Sequence, residues 1–173
     1  DLTPIHIACQ LGHVEGVQLL IDCGSDLGLK DKKGNTPFHW LVSAKYENVK
    51  DVETLLDGLS DAVEEGYLDF DALNENGNTC LHAAILGEGD GQMVPWLIKK
   101  GKVDPNAQNK SGHTALYLAI QSKNLKATQA LLAGGADVFV RTNTNDTPVD
   151  LAHEIGHVQI WECILRRLND KNW

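Results

Sequence analysis

The chain has 173 residues, of which 42% are hydrophobic and 23% charged, with a formal net charge of -9. That length suits one domain, and no apolar run is long enough to cross a bilayer as a helix. The charge is uneven. No Lys or Arg falls between Asp51 and Ile98, a block of formal charge -11, while the rest of the chain is +2. Such a block repels polynucleotide and draws a basic protein segment, although a merely solvated face is the plainer reading. Cys9, Cys23, Cys80 and Cys163 are scattered without metal-ligand spacing, as expected for reduced thiols in the cytoplasm or nucleus. The sequence is not expected to open on a secretory leader, because Asp1 falls inside what reads as a folded repeat.

The regular unit is read most clearly from Asn109 to Arg141. A polar turn around Ser111-Gly112-His113 precedes an apolar run, Ala115 to Ile120. A polar break at Gln121 to Asn124 is followed by a second apolar-periodic run, Leu125 to Leu132, that stops at Gly134-Gly135. A threonine opening the first helix marks each unit: Thr3-Pro4, Thr36-Pro37, Thr79-Cys80, Thr114-Ala115 and Thr147-Pro148, at spacings of 33, 43, 35 and 33. Its hydroxyl suits a helix N-cap, and proline suits the first helical position.

In chain order, residues 1–30 carry Thr3-Pro4-Ile5-His6-Ile7-Ala8 and Gly12-His13, with Gly12 expected to end the first helix in a left-handed conformation. Val17, Leu19, Leu20 and Ile21 make the apolar side of the second helix. This unit lacks an opening turn, so it is expected to be either an N-terminal cap or the edge of a sequence cut from a longer array, with the cut favoured. Residues 31–73 open with the turn Asp31-Lys32-Lys33-Gly34-Asn35 and hold about ten extra residues. Val52, Leu55, Leu56, Leu59 and Val63 keep helical spacing, so the spacing predicts a second helix lengthened to about Glu65, with an acidic outer face of Asp57, Asp61 and Glu64. Residues 74–108 contain a loose break, Gly87-Glu88-Gly89-Asp90-Gly91, expected to be a flexible loop, and a short second helix over Met93–Ile98. Residues 142–173 have Asn145 where glycine is usual, which asparagine tolerates. Their second helix, Val158–Leu168, ends near Arg166, Arg167 and Lys171, as a polar terminal cap would.

A 33-residue turn-helix-turn-helix period, with TPLHLAA-x-x-GH echoed at Thr3 to His13, resembles the ankyrin-repeat family. The resemblance covers nearly the whole chain. It implies an all-α fold, an α-solenoid of about five ankyrin repeats, the second carrying a helical insertion. It assigns His6, His39 and His82 to hydrogen bonds between neighbouring turns, with the series interrupted at Tyr117 and Asp150. The implied function is non-catalytic protein–protein binding on a concave surface of turn tips and first helices, by a monomer without metal or cofactor. Candidate contacts at the turn tips are Lys32, Lys33, Asn35, Glu75, Asn76, Asn78, Lys110, Ser111, His113, Asn143, Thr144 and Asp146. At the first-helix ends they are Gln10, Leu11, Ser43, Ala44, Leu86, Gln121 and Ser122.

Trp40, Trp96 and Trp161 fall at helix positions usually in the core, but Trp40 replaces an aliphatic residue in a first helix and is a candidate hot spot. Partner chemistry is read from the acidic block: a basic segment near the second and third units, as inhibitors of Rel-type transcription factors cover basic segments with ankyrin repeats. The competing class is a regulatory ankyrin module of a larger enzyme or channel. His153-Glu154-Ile155-Gly156-His157 matches the zinc-protease pattern H-E-x-x-H. That chemistry requires one continuous helix, whereas Gly156 aligns with Gly12 at a helix break.

Overall fold

The computed structural model describes residues 2–58, 69–100 and 103–169. Ten helices occur among them, and none is long and apolar enough to cross a membrane. They run as five pairs: α1 (Pro4–Gln10) with α2 (Val14–Asp22), α3 (Pro37–Ser43) with α4 (Val49–Gly58), and α5 (Cys80–Leu86) with α6 (Val94–Lys100). The last two are α7 (Ala115–Gln121) with α8 (Leu125–Ala133), and α9 (Pro148–Ile155) with α10 (Val158–Asn169). First helices stack on first helices along the series α1, α3, α5, α7, α9. Second helices pack on one another at α2–α4, α6–α8 and α8–α10, giving a helical solenoid.

Helices of seven residues are too short to be stable alone, so their ends and their stacking hold them. Thr36, Thr114 and Thr147 each accept the backbone N–H three residues on. A buried imidazole completes the motif in the first three pairs. His39 Nδ1 accepts the Thr36 N–H at 3.2 Å, and its Nε2 meets the Asn78 carbonyl of the next turn at 3.1 Å. His82 does the same with Thr79 and the His113 carbonyl, and His6 with Thr3 and the Leu29 carbonyl. Both bonds are made only by the neutral ring with its proton on Nε2. The series changes chemistry at Tyr117, which lacks the bridge, and at Asp150, whose carboxylate accepts from Thr147 N and Oγ1.

The core is one continuous layer between the helix rows, from Ile5 and Cys9 through Leu56, Leu81 and Leu116 to Ile160 and Ile164. Phe70 anchors the chain on its return from the second pair, with its ring centroid 4.6 Å from that of Phe38 and 6.0 Å from that of Trp96.

The extra residues of the second unit are distributed. The described part of α4 ends at Gly58, with Val52, Leu55 and Leu56 buried as their spacing requires. The expected continuation through Leu59, Asp61, Val63 and Glu64 lies outside the described residues. Part of the excess sits in the loop between α3 and α4. There Tyr46 is buried, its hydroxyl donates to the Leu41 carbonyl, and its peptide is held on both sides by the Gln92 amide.

The expectation of a flexible loop at Gly87 to Gly91 is corrected. Gly89 N–H donates to the Ser43 carbonyl at 3.0 Å and Gly91 N–H to the Ala84 carbonyl at 2.8 Å. Gly87 is glycine for closeness rather than for torsion: a Cβ there would stand 2.3 Å from the Ser43 oxygen. The loop's small residues let two pairs touch backbone to backbone, which sequence composition alone reads as looseness.

Gly87→Ala is therefore expected to cost about 1–3 kcal/mol through forced displacement of Ser43. Urea unfolding checks it, with Glu88→Ala, at an exposed position, staying within about 0.5 kcal/mol of the parent. A second expectation concerns pH. Burial holds the His39 and His82 imidazoles below the ordinary histidine value, despite the carbonyl acceptors that pull the other way. The native chain thus binds fewer protons than the unfolded chain below about pH 6.5. Thermal midpoints should hold steady above about that pH and fall as the pH drops further through the depressed native values. A His39→Gln/His82→Gln variant should start lower and fall less steeply; an equal slope would show that these rings do not carry the effect.

Candidate functional site

Each projecting turn is built by one side chain five residues before the marker threonine. Asp31 Oδ1 accepts the N–H groups of Lys33 and Asn35, Asn74 Oδ1 those of Asn76 and Asn78, and Asn109 Oδ1 those of Ser111 and His113. Thr142 takes this place in the last turn, where its hydroxyl accepts the Asp146 N–H. The turns then join one another. Glu75 N–H donates to the Lys33 carbonyl at 2.9 Å, Lys110 N–H to Asn76 at 3.0 Å, and Asn143 N–H to Ser111 at 3.3 Å. Asn74 Nδ2 reaches Asn35 Oδ1, and Asn109 Nδ2 reaches Asn78 Oδ1. Gly34 sits at φ +73 where a Cβ would be 2.9 Å from Glu75 N, so both torsion and stacking demand glycine. At the last turn Asn145 adopts φ 70, as its residue type allowed. Sequence reasoning passed over Asp31, Asn74, Asn109 and Thr142. Their fixed offset from each threonine was the available signal.

Turn tips and first helices together form an inner face, and Trp40 stands on it, on the first helix of the second pair. Its indole is half-buried and its Nε1–H donates to Asp31 Oδ2 at 3.0 Å. Burial opposes the Asp31 charge, yet donors from Asn35, Lys33 and Trp40 hold its carboxyl below the usual carboxylate range. Trp40 walls two open grooves. One, about 410 Å³, lies between it and Leu2, Gln10, Asp31, Lys32 and Lys33. The other, about 180 Å³, is bounded by Asn35, Ser43, Asn74, Ala83 and Leu86. Leu86 is 58% exposed at the lip of the second groove.

The structure gathers most of the sequence candidates on this face. Lys32, Lys33, Glu75, Asn76, Lys110, Ser111, Asn143, Thr144 and Asp146 are exposed at the tips, and Gln10, Leu11, Leu86, Gln121 and Ser122 at the helix ends. Asn35 and His113 are half-buried, the latter with its ring stacked on Tyr117 at 4.6 Å. Two candidates are corrected. Asn78 is buried, its carbonyl taken by His39 and its side chain by Asn109. Ala44 is buried beneath Gly89. Ser43 is half-buried, with its hydroxyl on the Trp40 carbonyl and its own carbonyl on Gly89. By their place in the repeat these positions read as surface, but the next pair stacks closely over Ser43 and Ala44, and Asn78 keeps only a narrow edge on the groove between Trp40 and Leu86.

Asp57 has a structural task. Donation from the Trp96 indole at 3.0 Å and from Lys100 Nζ lowers its pKa and braces α4 against α6. Asp61 and Glu64 lie outside the described residues. Trp96 itself is buried, whereas Trp161 is half-buried against His153. His153 belongs to α9, Gly156 adopts φ 64, and His157 precedes α10, so the H-E-x-x-H histidines flank a helix break. Burial pushes the Cys9 thiol up to about 12 and the Cys80 thiol well above its ordinary value, which leaves neither as a thiolate nucleophile at neutral pH.

A family model described as "Ankyrin repeats (3 copies)" matches residues 5–107, 56–142 and 84–172. The B-cell lymphoma 3 protein homolog of Mus musculus is 26% identical over 164 residues, which is 95% of this chain and 35% of that relative. The chain thus spans about a third of that relative's length. The overlapping family matches run along the same helix pairs and threonine-led turns described above, and the chain belongs to the ankyrin-repeat family.

Proposed function

We propose that the chain is a non-catalytic protein-interaction module that takes a segment of a partner protein along its inner face, with Trp40 as the anchor. One observation carries this reading: Trp40 is a half-exposed indole that walls both grooves and is fixed in place by Asp31. An aromatic side chain already ordered in the free protein loses little entropy on binding, and such residues dominate interface energetics. Leu86 adds exposed apolar surface beside it, and the asparagine-laddered turns supply polar groups at the rim.

The tips do not complement a basic partner. Lys32, Lys33 and Lys110 stand against Glu75 and Asp146. A basic segment therefore belongs on another surface, and the inner face suits a mixed apolar and polar segment.

Affinity capture from lysate, read by mass spectrometry, tests the reading. Trp40→Ala and Leu86→Glu should each weaken retention of the same protein by roughly tenfold or more. Lys126→Glu, at an exposed position on α8, should retain it. Circular dichroism of each variant separates lost contacts from lost folding, and unchanged capture by folded Leu86→Glu would sink the assignment of this face.

A further inference from the structure

The inner face leaves the acidity of the chain without a use. The outer side offers one, where α2 and α4 run beside each other. Glu15, Gln18, Leu19 and Asp22 stand at i, i+3, i+4 and i+7, hence on one face of α2, and Asp51, Thr54 and Leu55 share a face of α4. Between these faces lies an open groove of about 420 Å³. Its floor is apolar, made by Val14, Leu19 and Leu55, with Leu19 63% exposed. Its rim carries the exposed carboxylates of Glu15, Asp22 and Asp51, and no Lys or Arg lines it. Asp22 accepts one bond from Gln18 and Glu15 lies 3.4 Å from His13, which leaves carboxylate lone pairs toward solvent. The matching seam between α8 and α10 is bridged, because Gln129 reaches the Cys163 sulfur at 3.8 Å.

We propose that this outer groove is a second docking site, for an extended protein segment that sets an aliphatic side chain on Leu19 and Leu55 with Lys or Arg on either side of it. Charge complementarity selects the occupant. Phosphate backbones are repelled, and among the described residues no set of carboxylates is placed to hold a metal ion. Spacing sharpens the choice. Two helical turns, about 10.5 Å, separate Glu15 from Asp22, a distance an extended segment covers in about three residues. Side chains alternate across an extended segment, so cations two positions before and two after an aliphatic residue share its face, about 13 Å apart, and their long side chains meet both ends of the groove. The proposal rests on the reading of the chain as an interaction module but uses no residue of the inner face.

The test uses the full chain and a fluorescent peptide, KSLSKSLSKSLSK, with binding read by anisotropy. Tight binding is expected relative to ESLSESLSESLSE, which lacks the cations, and to KSSSKSSSKSSSK, which lacks the aliphatic residue. A Glu15→Lys/Asp22→Lys/Asp51→Lys variant should lose roughly tenfold in affinity, and Leu19→Ser should also weaken binding. All four positions are exposed, so these variants should keep the parent circular dichroism. Trp40→Ala should bind the peptide as the parent does. No binding by the parent, equal binding by the charge-reversed variant, or equal binding of the serine-substituted peptide would each overturn the proposal. Because inner-face capture is read separately through Leu86→Glu, failure here leaves that reading standing, and the converse also holds.

Discussion

Every helix pair in this chain depends on a neighbour for its backbone hydrogen bonds as well as for its core. A turn that projects from a short helix exposes N–H and C=O groups that must find partners, and here the next turn supplies them. Glu75, Lys110 and Asn143 each donate to the turn before, while His39 and His82 carry a side-chain bond to the turn after. These contacts fix the register between pairs more tightly than apolar packing can, because a hydrogen bond fails within a few tenths of an ångström and a methyl contact does not. Register, in turn, decides which side chains face the grooves.

The same requirement explains the neutrality of the buried imidazoles. A ring that accepts from a threonine N–H and donates to a carbonyl has no use for a second proton, and burial penalises the charge it would bring. The stack is built from groups that work without charge, so formal charge is left to the surface. There it segregates. Lysines dominate the tips Lys32, Lys33 and Lys110, while Glu15, Asp22 and Asp51 rim the outer groove. One chain therefore presents two faces of different polarity, an inner one of mixed charge and an acidic outer one, which suits simultaneous contact with two different segments.

The irregular units show how the repeat absorbs change. Extra length in the second unit is tolerated because Tyr46 fills the widened loop and Phe70 re-enters the core between Phe38 and Trp96. Asp57 then ties α4 to Trp96 and Lys100 of the following pair. The glycine-rich loop after α5 lets the neighbouring backbone approach at Ser43 and Ala44. Trp40 lies beside this closely packed junction, on a part of the inner face held by contacts from both sides.

Periodicity alone determined the helix pairs, because threonine caps, proline at the first helical position and glycine or asparagine at positive φ are local requirements that residue type satisfies or does not. Thr36, Gly12, Asn145 and the flanking histidines of H-E-x-x-H were all legible in that way. What the sequence left open was decided by contacts between pairs. Asn78 and Ala44 read as surface and are covered by the next unit; Asp57 reads as a free acidic face and is engaged by Trp96. Gly87 to Gly91 reads as slack and is among the most closely apposed backbone in the chain. Burial, charge pairing and close approach depend on which residue arrives from thirty to forty positions away, and only the stacked structure brings those residues together.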